Sequence, residues 1–243
     1  MSDSDQLEQH NLGHFGFSAV KIDDLGATEY TLVTIVCDRS YSTSGFQQDM
    51  ERVLKEVIKA CAHSPRADNL LVRVIVFDDQ HVETHGFKLL EGINPDDYDG
   101  SLAPQGATAL FDATLDAIEG TQNYAEQLAG QDFDCNGILF VITDGCDNRS
   151  TNGLNQIKNA LQTVVRQEDL ESLVSLLIGV NVNDQIVSRE LQKFNQESGF
   201  TDYVELDNAD KKTLAKLANF VSQSISSQSQ ALGTGGPSQS IKF

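Results

Sequence analysis

Three short segments of this chain place oxygen-bearing side chains where chemistry can occur. They are Asp38-Arg39-Ser40-Tyr41-Ser42, Gly106-Ala107-Thr108-Ala109-Leu110 and Thr143-Asp144-Gly145. In an extended segment residues i, i+2 and i+4 project to one side, so Asp38, Ser40 and Ser42 converge while Arg39 and Tyr41 point elsewhere. Asp144 adds a second carboxylate beside a glycine at which the backbone can turn, and Thr108 adds a hydroxyl at an expected helix start. Two carboxylates and three hydroxyls form an all-oxygen donor set suited to a hard divalent cation, Mg²⁺, Mn²⁺ or Ca²⁺, whereas softer metals require His or Cys. An ion held by few charged ligands stays electrophilic, and a partner's carboxylate can complete its shell. Taken singly, each residue has a plainer use: Asp38 caps a loop, Thr108 caps a helix, Asp144-Gly145 makes a turn. Taken together, the five favour the metal reading.

The elements that must position these residues are legible in the apolar pattern. Four runs, residues 31–37 (TLVTIVC), 70–77 (LLVRVIVF), 137–143 (GILFVIT) and 173–180 (LVSLLIGV), have the character of strands buried on both faces. Shorter runs at 203–206 and 82–87 read as edge strands. Between them, Met50, Val53, Leu54, Val57, Ile58 and Cys61 form a single helical stripe within 46–63, and Leu154, Ile157, Leu161, Val164 and Val165 repeat it. Leu214, Leu217, Ala218, Val221 and Ile225 do so again, and weaker helices are expected over 108–120 and 184–198. Strands alternating with helices predict an α/β, Rossmann-like, doubly wound and mostly parallel sheet of about six strands, with helices on both faces. In such sheets ligands bind beyond the carboxyl ends of the strands, where the three segments fall.

One domain is expected over residues 28–224. Residues 1–27 read as an N-terminal segment, loose at its acidic start, with 15–22 (FGFSAVKI) alternating enough to add an edge strand. Residues 225–243 read as a flexible Ser/Gln/Gly-rich tail; it closes on Ile241 and Phe243, which could dock on another surface.

The composition narrows the partners. Among 243 residues, 17 Lys and Arg stand against 36 Asp and Glu, a formal charge of −19. Such a surplus repels phosphate backbones and anionic lipid, which argues against nucleic-acid or membrane-surface binding as the main role. No signal-like segment and no long apolar stretch occurs, so a soluble cytoplasmic protein is expected. Four cysteines, Cys37, Cys61, Cys135 and Cys146, show no paired spacing for zinc and read as reduced thiols. Cys146 is expected to be inert, because nearby carboxylates raise its pKa. The histidines His10, His14, His63, His81 and His85 read as solvated, and Asp78 and Asp79 as surface charge.

The DxSxS of residues 38–42, the GxTxL of 106–110 and the TDG of 143–145, in that order and in those strand and helix contexts, resemble the metal-ion-dependent adhesion site (MIDAS) of von Willebrand factor type A (VWA) domains. The resemblance covers about residues 28–224, and the two ends are similar to bacterial single-domain members of that family. It implies a VWA fold. It also implies that Ser40, Ser42 and Thr108 bind the ion directly or through water, and that Asp38 and Asp144 act through water or the serine hydroxyls. The chain departs from the usual motif at Arg39 and Tyr41, where small residues and glycine are the rule. Arg39 would weaken cation affinity and Tyr41 would narrow access.

The function expected is non-enzymatic: a divalent-metal-dependent protein-binding adaptor or scaffold that recruits a partner's acidic side chain or carboxylate. One alternative is a structural subunit that forms homo-oligomers by docking its C-terminal tail on a neighbour. Another is a Mg²⁺-dependent phosphotransferase of haloacid dehalogenase type with Asp38 as nucleophile, although Ser40 stands where that chemistry needs a second acid.

Overall fold

The structure, a computed structural model, describes residues 7–167, 169–182 and 184–231. In chain order the strands are β1 (Leu7–Asn11), β2 (Gly16–Val20), β3 (Glu29–Asp38), β4 (Leu70–Phe77), β5 (His81–Leu89), β6 (Asp134–Thr143), β7 (Leu173–Val180) and β8 (Asp202–Leu206). The helices are α1 (Gln47–Ala62), α2 (Leu110–Ala129), α3 (Leu154–Gln167), α4 (Gln185–Ser198) and α5 (Lys211–Ala231). One mixed sheet runs in the order β1-β2-β5-β4-β3-β6-β7-β8. It is parallel from β4 through β8, and its antiparallel pairs are β1 with β2 and β4 with β5.

The strand sequences explain the layering. Side chains alternate along a strand, so an unbroken apolar run requires cover on both faces. Val33, Ile35 and Cys37 of β3 enter one apolar cluster with residues of α1 and α5. Leu32 and Val36 enter a second cluster with residues of α2, α3 and α4.

Eight strands replace the six or so expected, and the surplus lies at the N-terminal edge. Segment 7–11, taken as part of the loose start, pairs with β2 through five register positions. Its strand character comes from that pairing, because its half-exposed residues carry no strong apolar alternation. The hairpin in turn meets the rest of the sheet by a single ladder position, Ala19 opposite Phe87.

Two helices outrun their expected lengths. Gly120 reads in sequence as the end of α2, yet the helix continues to Ala129. The glycine serves close approach: a Cβ there would lie 2.5 Å from the Arg73 guanidinium. At the other end α5 runs to Ala231, past residue 225 where the tail was placed. Ile225 is buried in the core, and Gln228 accepts bonds from Asn136 Nδ2 at 2.7 Å and Ser172 Oγ at 2.6 Å. The rest of that tail, with Ile241 and Phe243, lies outside the described residues. Among the described residues no helix is long and apolar enough to cross a membrane.

Candidate functional site

Strands β3 and β6 are neighbours whose exits diverge. After β3 the chain crosses by α1 to β4 on one side, and after β6 it crosses by α3 to β7 on the other. Because α1 and α3 pack in different apolar clusters, the two loops part and leave a crevice at the carboxyl ends of the strands. Asp38 ends β3, Thr143 ends β6, and Cys37 pairs with Ile142, so the register sets Asp38 beside Thr143.

The side chains form a continuous chain of bonds. Asp38 is fully buried; its Oδ1 accepts from the Ser40 backbone N–H at 2.7 Å and its Oδ2 from Thr143 Oγ1 at 2.7 Å. The Ser40 and Ser42 hydroxyls lie 2.9 Å apart, and Ser42 Oγ donates to Asp144 Oδ1 at 2.9 Å. Four of the five sequence-predicted residues are thereby joined.

Thr108, also buried, is tied in through the backbone. The Tyr41 N–H donates to the Gly106 carbonyl at 3.3 Å, and the Gln105 N–H to the Arg39 carbonyl at 2.9 Å. On its other side the Thr108 N–H donates to Asn148 Oδ1 at 2.9 Å, while the Asn148 N–H returns a bond to the Thr108 carbonyl at 3.0 Å. Gly106 makes this seam feasible: its φ is +63°, and a Cβ there would collide with the Asp79 carboxylate.

The plainer use of Thr108 as a helix cap is not the one the fold adopts. Ala109 occupies the N-cap of α2 and makes no side-chain cap bond. The β6–α3 loop caps the helix instead: Phe111 N–H donates to Asp147 Oδ2 at 3.0 Å and to Ser150 Oγ at 3.1 Å, and Asp112 N–H to Ser150 Oγ at 3.0 Å. Asp112 in turn accepts from the backbone N–H groups of Thr151 and Asn152, both at 2.9 Å. Sequence reasoning missed Asn148 and the bond of the Thr143 hydroxyl to Asp38. A cluster of Asx and hydroxyl residues just past the Asp144 turn was the available signal.

The electrostatics set this pair apart. Burial, reinforced by the charge of Asp144, pushes the Asp38 carboxyl up to about 7, against the opposing bonds from Thr143 and Ser40. Asp144 is also raised, chiefly by burial. Among the described residues neither acid has an ion pair, because Arg39 turns away and its Nε lies 2.8 Å from Asp78 Oδ2. Asp78 is therefore no surface charge: it is buried, and Gln105 Nε2 and the Gln80 N–H also bond to it, at 2.8 and 2.9 Å. Tyr41 projects into solvent at 67% exposure. Cys146 is half-buried, and burial followed by the charges of Glu190, Asp184, Asp144 and Asp147 raises its thiol.

The donor set fits a hard cation. A buried and a half-buried carboxylate that repel each other and have no cationic side chain among the described residues, bridged by hydroxyls with lone pairs to spare, are a set that a divalent ion would relieve.

No family model and no curated protein matches the chain. Solved structures do. The PilB minor pilin from Streptococcus sanguinis superposes with a TM-score of 0.57 at 16% identity, over 90% of this chain and 66% of that one. The pilus adhesin SpaC from Lactobacillus rhamnosus GG gives 0.53 at 12% identity, over 82% and 31%. Proximal thread matrix protein 1 from the mussel byssus gives 0.50 at 17%, over 81% and 46%. The chain spans less than two thirds of each, and at these identities the likeness is one of fold.

Proposed function

We propose that this chain is a VWA-type, doubly wound domain acting as a divalent-metal-dependent protein-binding module. In this reading Ser40, Ser42 and Thr108 hold Mg²⁺, or Mn²⁺ or Ca²⁺, and Asp38 and Asp144 steady the shell. A partner's carboxylate completes the coordination. The observation that carries the reading is the buried Asp38, raised in pKa beside Asp144 and without a cationic side chain among the described residues, while Arg39 serves Asp78. A catalytic role has less support: the residue two places beyond Asp38 is Ser40, whose hydroxyl meets Ser42 rather than a substrate-facing acid. The four free thiols, three of them buried, suit a reducing compartment and hence the cytoplasm. The fold likeness to a pilin and an adhesin is compatible with a protein-binding role.

The test is a titration of Mg²⁺ or Mn²⁺ against thermal stability, with Asp38→Ala and Thr108→Ala as controls, and a partner pull-down with and without chelator. Identical responses of wild type and both variants would remove the metal site. A partner retained equally in chelator would remove the metal-dependent bridge.

A further inference from the structure

A second cluster, on the face of the sheet that carries α2, has a different chemistry. His14 sits in the turn of the β1–β2 hairpin, where Gly13 adopts φ +89° and Leu12 N–H bonds to the Phe15 carbonyl at 2.9 Å. His81 opens β5. Both rings turn to α2, where Asp116 and Glu119, three residues apart, share a helix face. His81 Nε2 lies 2.6 Å from Asp116 Oδ2, and His14 Nε2 lies 2.9 Å from Glu119 Oε2 and 3.8 Å from Asp116 Oδ1. His14 is exposed as expected, at 61%, while His81 is partly covered and bonded to Asp116.

We propose that His14, Asp116 and Glu119 form a site for a borderline divalent ion of the zinc class, which clamps the N-terminal hairpin to α2, with His81 positioning Asp116 through its other oxygen. One imidazole and two carboxylates are three protein ligands of a tetrahedral zinc site whose fourth position is open, with donor atoms roughly 3.3–3.6 Å apart. His14 Nε2 stands 2.9 Å from Glu119 Oε2 and 3.8 Å from Asp116 Oδ1, so shifts of well under 1 Å in these pairs would bring them to that spacing. The ligand atoms of His14, Asp116 and Glu119 all lie within 4.8 Å of one another. Charge agrees: a neutral imidazole and two carboxylates carry two negative charges, which a divalent ion would cancel. The buried Arg73 acts on Asp116 only through space, since its Nε lies 2.6 Å from Glu83 Oε2 and its guanidinium carbon 5.4 and 5.9 Å from the Phe17 and Phe87 ring centroids. Asp116 is almost wholly shielded while the His14 side chain is 61% exposed, so the anchor is fixed and the entry is open.

The location gives the ion a task. The hairpin joins the sheet through one ladder position, and its turn has no strand partner beyond β1 and β2. The hairpin turn and α2, far apart in sequence, supply the ligands, and β5 supplies the supporting His81, so binding would tie the far end of the hairpin to the body.

Zinc chloride titrated into the full, tag-free chain should reveal one saturable site, and Co²⁺ in its place should develop the intense visible bands of tetrahedral coordination. His14→Gln should cost more than the roughly 10–100-fold typical of outer-shell partners and remove those bands, while His81→Gln should cost within that range and keep them. Zinc should also slow amide exchange across 7–20 in wild type and not in His14→Gln. Asp38→Ala should bind zinc as wild type does, so failure of this site and failure of the hydroxyl-lined site are separately visible. Equal zinc affinity in wild type and the His14→Gln/His81→Gln double variant, with circular dichroism showing both folded, would overturn the proposal. An octahedral cobalt spectrum would do the same.

Discussion

Asp38 and Asp78 stand at the carboxyl ends of adjacent strands, both buried, and the fold treats them in opposite ways. Asp78 has the Arg39 guanidinium, the Gln105 amide and the Gln80 N–H. Burial opposes its ionisation, yet those bonds and the Arg39 charge outweigh it and hold the carboxyl below its ordinary range. Asp38 has a backbone N–H and a hydroxyl, faces a second acid, and is raised to about 7. The difference separates two uses of a buried acid. One whose charge is met within the protein is scaffold; one whose charge is left unmet is, in the proposed reading, where a cation would sit.

The largest test of this contrast is removal of each carboxylate in turn. Asp78→Ala strands a largely buried Arg39 and should cost about 3–5 kcal/mol in urea unfolding, the usual penalty for breaking a buried pair. Asp38→Asn, measured in chelator, should cost nothing or stabilise, because it removes an unmet charge. Equal losses in the two variants would erase the distinction.

Next comes the ion itself. At about 100 times its dissociation constant, Mg²⁺ should add about 2.7 kcal/mol to wild type and nothing to Asp38→Asn or Thr108→Ala, while Asp78→Asn, where it folds, should keep the gain. A gain that survives in Asp38→Asn would place the ion elsewhere.

The two acids should also tilt the pH profile in opposite directions. The folded protein holds the Asp38 proton up to about 7 whereas an unfolded aspartate releases it near 3.8, so stability in chelator should fall as pH rises between those values. The lowered Asp78 contributes stability above the pKa of an unfolded aspartate and loses it as pH falls through its own, lower value. Asp38→Asn should flatten the first slope and leave the second; an unchanged slope between pH 4 and 7 would contradict the unmet charge.

The smallest effect is expected at Tyr41. At 67% exposure its loss in Tyr41→Ala should change stability by no more than about 0.5 kcal/mol. Its place beside Ser40 and Ser42 predicts altered retention of a metal-dependent partner in pull-down, and an unaltered retention would show that this side chain plays no part in access.

The strands that carry these acids were legible from sequence because they are covered on both faces: 70–77 and 173–180 match β4 and β7 residue for residue. Strand β1 was not, since its half-exposed residues owe their conformation to β2. Asp38, Ser40, Ser42 and Asp144 do join in one bonded chain, but the extended geometry read for residues 38–42 ends at Ser40: Tyr41–Gly45 is a 3-10 helix, and the bond from Ser42 to Asp144 is supplied by the pairing of β3 with β6. Arg39 was misjudged as a threat to the ion, because its partner Asp78 is 39 residues away and only the pairing of β3 with β4 brings them together. Likewise no local pattern links His14 and His81 to Asp116, since the helix and the hairpin meet only in the assembled sheet.

The serine pair carries a direction. A hydroxyl has one proton; that of Ser42 is committed to Asp144, so the bond between the two serines must use the proton of Ser40. Every hydrogen along the short relay thus points from Ser40 toward Asp144. A cation arriving among these oxygens would draw lone pairs inward and swing both protons outward, breaking the relay by rotation about the two Cβ–Oγ bonds. The site can therefore register an occupant through the orientation of two dipoles, and the energy needed to turn them belongs to the selectivity of the site rather than to the stability of the fold.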